Sequence, residues 1–193
     1  MTAAALAAAA LVLTGCAAND PLAQQYRDGS DKNYIAGDGS VMEVTPENRD
    51  APITFEGTTE LGETVSSEDY LGEVLVVNFW ASYCGPCRVE APDLEKVSQD
   101  WAGKGASFIG INTYDGAEQA LAFSRKYGVS YPSVLDAKSG EAQLAFAGKV
   151  PPSALPTTLV LDREGRVAAR ILGQVQAASI LDALIKTVAA EET

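Results

Sequence analysis

The stretch Val74-Leu75-Val76-Val77-Asn78-Phe79-Trp80-Ala81-Ser82-Tyr83-Cys84-Gly85-Pro86-Cys87 constrains the fold more than any other part of the chain. Its near-continuous apolar run, residues 73–80, reads as a strand covered on both faces. The run stops at a Cys-x-x-Cys pair. A helical pattern begins there, with Val89, Leu94, Val97 and Trp101 taken as its apolar side. Two thiols therefore stand at a strand-to-helix junction. Free backbone N–H groups and the positive end of the helix dipole favour thiolate over thiol at such a place.

The rest of the composition removes competing chemistries. The chain has 193 residues, a net charge of −12 and no histidine. An acidic chain lacks the basic footprint that nucleic-acid binding needs. Without imidazole there is no Cys-His nucleophile and no histidine ligand for zinc or haem. The cysteines are Cys16, Cys84 and Cys87. A zinc site wants four Cys or His ligands, so no metal is expected. A purely structural disulfide remains the plain alternative for Cys84 and Cys87.

Cys16 has a separate context. Residues 3–13 form an alanine-rich apolar run, short of the about 20 residues a bilayer span requires. The run fits the hydrophobic core of a secretory signal. It leads into Leu13-Thr14-Gly15-Cys16, which resembles the bacterial lipobox. That resemblance implies cleavage before Cys16 and a lipid on its sulfur, and hence a protein anchored to the cell membrane on its extracytoplasmic side. The alternative is a buried helix with Cys16 in a core.

The expected organisation is a signal peptide over residues 1–15, a lipid-anchored flexible linker over 16–51 and one domain over 52–193. The linker is rich in Gly, Ser, Asp, Asn and Pro and holds no hydrophobic period. As a random coil it would reach roughly 30–35 Å. Tyr34-Ile35 or Val41-Met42-Glu43-Val44 could add an edge strand. In the domain, Ile53-Thr54-Phe55 and Thr64-Val65 read as a hairpin around Leu61-Gly62-Glu63. Ser66 or Ser67 would cap a short helical turn. A strand over residues 106–112, a helix over 117–127 closed by Gly128, an extended piece over 132–136 and a weak helix over 140–147 follow. Strands over 157–162 and 167–172 should pair antiparallel across a tight polar turn. An amphipathic helix over 176–190 closes the chain, with Ile180, Leu181, Leu184, Ile185 and Val188 on its apolar side. Pro92 is expected to kink the first helix. The order predicts an α/β domain with a mixed central sheet flanked by helices.

Phe79-Trp80-Ala81, Cys84-Gly85-Pro86-Cys87, Pro92, Pro156-Thr157 and Gly173 together resemble the thioredoxin superfamily over about residues 53–190. The N-terminal hairpin and the insertion around 129–150 look like its extracytoplasmic TlpA/ResA branch of membrane-tethered disulfide reductases. That likeness implies a thioredoxin-like fold and assigns roles. Cys84 would be the attacking thiol, and Cys87 would resolve the mixed disulfide. Pro156 would be cis, turning the Leu155 backbone toward an extended substrate strand. Asn78 departs from the buried aspartate of cytosolic thioredoxins, and asparagine cannot titrate. Glu90, one turn after Cys87, is the candidate proton acceptor in its place; the plain alternative is a solvent-facing glutamate. Tyr83 stands where thioredoxins carry tryptophan and, with Trp80, is a candidate for lining the docking surface, although packing is the plainer role for Trp80. Arg88 reads as a surface charge.

The expected activity is protein-disulfide reduction by a thiol–disulfide oxidoreductase. Apocytochrome c is the substrate the likeness points to. An oxidase or isomerase, or a peptide-binding module without turnover, are the alternatives. A peroxiredoxin would show Thr-x-x-Cys, which is missing around Cys84. Gly85-Pro86 resembles the reducing thioredoxins, at about −270 mV, more than the oxidants near about −120 mV. No nicotinamide or flavin motif is visible, so no cofactor beyond the cysteine pair is expected. Electrons would come from a membrane donor, and the protein is expected to act as a monomer.

Overall fold

The computed structural model describes residues 40–151 and 154–191. The signal run, Cys16 and Tyr34-Ile35 lie outside the described residues. In chain order the strands are β1 (Val41–Glu43), β2 (Glu56–Thr58), β3 (Thr64–Ser66), β4 (Val74–Trp80), β5 (Ala106–Asn112), β6 (Ser133–Leu135), β7 (Thr157–Leu161) and β8 (Val167–Leu172). The α-helices are α1 (Gly85–Trp101), α2 (Ala117–Tyr127), α3 (Glu141–Ala145) and α4 (Ala178–Ala189).

Every residue of β4 is buried, as the apolar run demanded. It pairs parallel with β5 and antiparallel with β7, near the middle of a sheet ordered β1-β8-β7-β4-β5-β6. A parallel pair needs a crossover, and α1 supplies it between β4 and β5. Helix α2 does the same between β5 and β6, and ends at Gly128, whose φ of 78° few other residues adopt. β7 and β8 form the expected antiparallel hairpin.

The pleat of β4 divides the core. Val74 and Val76 meet Leu94 and Val97 of α1 and Leu181, Leu184, Ile185 and Val188 of α4. Leu75, Val77 and Phe79 face Ile53, Phe55 and Phe146 on the other side. Phe146, just after α3, meets the Phe79 ring edge-on at 5.2 Å and lies 5.6 Å from Phe55. Burying each such side chain contributes roughly 1.5–3 kcal/mol. The long helices thus share one face, and the insertion with the segment before β2 covers the other.

Local details refine the expectations. Ile53 and Phe55 are core residues ahead of the hairpin, whose first strand is β2. Ser66 caps the 3-10 turn Ser67–Tyr70: its Oγ accepts the Glu68 N–H, and Asp69 accepts the Ser66 N–H. Helix α1 runs through Pro92 as one element. Its buried stripe is Cys87, Glu90, Ala91, Leu94 and Val97, while Val89 is 62% exposed and lies off it. Ile180 likewise sits at the rim of the α4 stripe. Among the described residues no helix is long and apolar enough to cross a membrane.

The expected domain boundary at residue 52 needs correction. β1 pairs with the edge of β8, and Val41 packs into the core. The side chain of Arg49 is only 2% exposed. It bonds Asp162 in the β7–β8 turn at 2.9 Å, and Glu191 after α4 at 2.5 and 2.6 Å. Its Nε also donates to the Val44 carbonyl. Hydrophobic periodicity overlooks such a segment, because one short strand and one buried charge hold it. Burial works against the charge of Asp162. The Arg166 N–H and the Arg49 guanidinium outweigh it and hold that carboxyl below its usual range.

Arg49→Ala leaves two carboxylates without their shared cation. It is expected to cost about 3 kcal/mol in urea unfolding. A wild-type midpoint would show that residues 40–51 lie outside the cooperative unit.

Candidate active site

The chain leaves β4 at Trp80 and folds into a turn in which the Cys84 N–H donates to the Ala81 carbonyl at 3.1 Å. Cys84 is the N-cap of α1, and its sulfur accepts the Cys87 N–H at 3.2 Å. The two cysteines are joined in a disulfide, with Cα atoms 5.3 Å apart. Pro86 fits the first turn, where its missing N–H would have had no helical partner. No acidic residue occupies that first turn, where the positive helix end favours the Cys84 thiolate. Cys84 is 6% exposed and Cys87 2%, the order expected for an attacking and a resolving thiol.

Leu155 and Pro156 come to the same place from the start of β7. Their peptide bond is cis. The Pro156 carbonyl accepts the Gly173 N–H, and the Thr157 Oγ1 donates to the Ala154 carbonyl, which together hold the bend. Leu155 packs against the cluster that contains Cys84 and Cys87. It also lines a groove of about 330 Å³ with Phe79, Thr113, Leu144, Val150 and Pro151. Leu144, on α3, is 73% exposed at this groove. The insertion therefore supplies an apolar wall beside the redox pair.

Glu90 is not solvent-facing. It is 1% exposed, on the buried stripe of α1 one turn after Cys87. Its Oε1 accepts from Asn78 Nδ2 at 2.9 Å, and its Oε2 accepts from the Val175 N–H at 2.8 Å. Asn78 is itself fixed by a second bond from Nδ2 to Thr158 Oγ1. Burial pushes the Glu90 carboxyl up to about 7, against the lowering effect of the Val175 and Asn78 bonds. Asn78 and Cys87 line one small cavity of about 10 Å³ together with Trp80 and Tyr131. That is about the space of a single water. Burial and the Glu90 charge raise the Tyr131 hydroxyl as well.

Trp80 packs in the interior, the plainer of its two expected roles, and does not reach the surface. It is 4% exposed, and its ring lies 4.3 Å from that of Phe123. Its Nε1 donates to Ser133 Oγ across β5. Gly110 makes that crossing possible, since a Cβ there would come within 2.7 Å of the indole nitrogen. Trp80 is the floor of the site. Tyr83 is 59% exposed beside Cys84 and meets Tyr114 edge-on at 4.9 Å. Arg88 donates from Nε to the Ser82 carbonyl and so braces the turn, beyond being a surface charge. The sequence reading did not single out Ser82, Asn112, Tyr114 or Asp115. The Asn112-x-x-Asp115 spacing just after a strand is a turn signal that could have marked the loop.

Residues 48–170 match the AhpC/TSA family. The thiol-disulfide oxidoreductase ResA of Bacillus subtilis is 30% identical over 141 residues, which cover 72% of this chain and 75% of the relative. The crystal structure of a DsbF homologue from Corynebacterium diphtheriae is similar at a TM-score of 0.69 and 31% identity, covering 80% of this chain and 96% of that one. A secreted thiol-disulfide isomerase from Corynebacterium glutamicum has a TM-score of 0.69 and 29% identity, over 80% of this chain and 97% of its own. With its disulfide at the mouth of α1 and the cis bend facing it, the chain belongs to the AhpC/TSA family of thioredoxin-like proteins, as a thiol–disulfide oxidoreductase of the ResA type.

Proposed function

We propose that this oxidoreductase works as a reductase of protein disulfides outside the cytoplasm, tethered to the membrane through Cys16. Apocytochrome c is the substrate class favoured by the family likeness. The observation that carries the reductive direction is the Gly85-Pro86 dipeptide between Cys84 and Cys87, which resembles that of the reducing thioredoxins at about −270 mV. The N-terminus of α1 supplies Cys84 as the attacking thiolate. Stabilising that thiolate by itself favours the dithiol and pulls toward the oxidants, so the direction rests on the Gly85-Pro86 pair and not on the cap. The secreted Corynebacterium glutamicum relative supports the compartment. Leu13-Thr14-Gly15-Cys16 supports the tether.

The reduced protein starts the cycle. The Cys84 thiolate attacks one sulfur of the substrate disulfide; a mixed disulfide forms, and the other substrate sulfur leaves as a thiolate. The Leu155 backbone holds the substrate strand beside Cys84, and the groove lined by Leu144 and Leu155 receives apolar side chains that flank its cysteine. Cys87 then loses its proton and attacks the Cys84 sulfur. The Cys84–Cys87 disulfide forms, and the second substrate thiolate is released. Two electrons have passed to the substrate, and the structure holds the oxidised product. A membrane dithiol donor must return them. Glu90, on the buried stripe of α1 one turn after Cys87, takes the Cys87 proton, because a carboxyl near 7 can both accept and release one.

Cys87→Ser should stop the cycle at the mixed disulfide. A non-reducing gel of cell extract should then show a covalent adduct that thiol treatment releases; a clean monomer band would refute the roles of both cysteines. Cys16 should carry palmitate in cells, and Cys16→Ser should abolish the label. Unlabelled wild type would remove the tether.

Glu90 has a signed pH signature. Its carboxyl sits near 7 in the folded protein against 4.5 ordinarily, so the folded state keeps a proton that the unfolded state has lost. That contribution is complete below about 4.5 and disappears as pH rises through about 7, a change on the order of 3 kcal/mol. Glu90→Gln removes the slope, since Asn78 can turn its amide to accept the new donor. Urea unfolding at pH 5 and pH 8 should show wild type losing more stability than the variant. The wild-type rate of Cys87 attack should also bend near pH 7, and the variant's should not. Matching curves would leave Glu90 without its proton.

A further inference from the structure

The turn that carries Cys84 is held from outside by one buried side chain. Asp115 lies in the loop between β5 and α2 and is buried. Its Oδ2 accepts the backbone N–H of Ser82 at 2.6 Å, and its Oδ1 accepts the Ser82 hydroxyl at 2.6 Å. Asn112 braces the carboxylate, donating from Nδ2 to Oδ2 at 2.9 Å and accepting the Asp115 N–H on Oδ1 at 2.7 Å. The Ser82 carbonyl takes the Arg88 Nε at 2.7 Å. Ser82 is thus fixed at its nitrogen, its oxygen and its side chain. It is the second residue of the four-residue turn closed by Cys84 N–H to Ala81 carbonyl. A buried carboxylate given over to three neutral donors is costly to desolvate, and folding alone does not call for one at this loop.

We propose that Asp115 is a positioning residue for thiol–disulfide exchange: it clamps Ser82 so that the Cys84 sulfur stays at the N-terminus of α1, where its thiolate is favoured. The inference rests on Cys84 being the attacking thiol. Position and charge act here with opposite signs. Loosening the turn takes the sulfur away from the helix N–H groups and raises the thiol pKa. Removing a nearby negative charge lowers it. The charged side chains in the first two turns of α1 are Arg88, which bonds the Ser82 carbonyl, and the buried Glu90. Asp93, Glu95, Lys96 and Asp100 lie further along the helix, and all stay in place in the variants below.

Asp115→Asn isolates the charge. The amide oxygen can accept the Ser82 and Asn112 N–H groups, and its nitrogen can donate to the Ser82 hydroxyl, so the clamp survives. Asp115→Ala removes both clamp and charge. The test is iodoacetamide alkylation of the reduced full-length protein across pH, with the labelled cysteine identified by mass and the melting temperature recorded. D115A should alkylate Cys84 at least threefold more slowly at pH 6, with its midpoint displaced upward. D115N should stay within twofold of wild type or run faster. Ser82→Ala keeps the backbone bond and should fall between, about twofold slow; where D115A fails to fold, this variant decides.

A D115A protein that melts lower but alkylates like D115N makes Asp115 merely structural and overturns the proposal. Equal slowing in D115N and D115A overturns it too, because the asparagine keeps the bonds. An S82A rate equal to wild type does the same. Preferential labelling of Cys87 in the wild type is a different failure, since it removes Cys84 as nucleophile before Asp115 is tested.

Discussion

Burial of β4 on both faces fixes the place of every functional group. Its side chains alternate between two cores, so the strand has no freedom of register. Leu94 and Val97 must cover Val74 and Val76, which sets α1 along the strand and its first turn at the strand's C-terminal end. Cys84 lands there because the chain has only the turn after Trp80 in which to reverse. The same alternation puts Asn78 on the helix side, where it meets Glu90. The chemistry at the surface is therefore a consequence of packing several residues below it.

The opposite face explains the groove beside Leu155. Phe79 points away from α1 and is covered by Phe146, which follows the short helix α3. Asp136 caps that helix by accepting the Ala142 and Gln143 N–H groups. The cap sets α3 at an angle that leaves Leu144 outside the core, facing the groove beside Leu155. A segment recruited to bury one phenylalanine thus also builds one wall of the groove beside Leu155.

How much of this was legible depended on how local the signal was. The cysteine pair, the Ser66 cap and the Gly128 stop are local motifs, and each was read from adjacent residues. Pro156 needed the fold, because nothing near it in sequence says that it faces Cys84. Glu90 was ambiguous by composition but not by position: it lies on the stripe Cys87, Ala91, Leu94, Val97, which a strict helical count would have marked as buried. Counting Val89 as apolar cover obscured this. Trp80 was read with two roles because its destination depends on Gly110 and Ser133 of neighbouring strands. Arg49 and Asp115 were missed for a shared reason. Their partners are 113 and 33 residues away, and a charged residue in a polar stretch gives no sign that it is buried.

Two buried carboxylates show how one fold keeps a charge in one place and a movable proton in another. Asp162 accepts from the guanidinium groups of Arg49 and Arg166 and from two backbone N–H groups. Charge-assisted bonds are about twice as strong as neutral ones, so they overcome desolvation and the group stays ionised. Glu90 receives only the neutral donors Asn78 and Val175. They soften the penalty of burial without cancelling it, which leaves the carboxyl near 7. A cation in place of Asn78 would have pinned the charge on Glu90. An apolar residue there would have removed one of the two bonds that favour the ionised form and raised the carboxyl further. The asparagine that cannot titrate is thus the reason that its neighbour can.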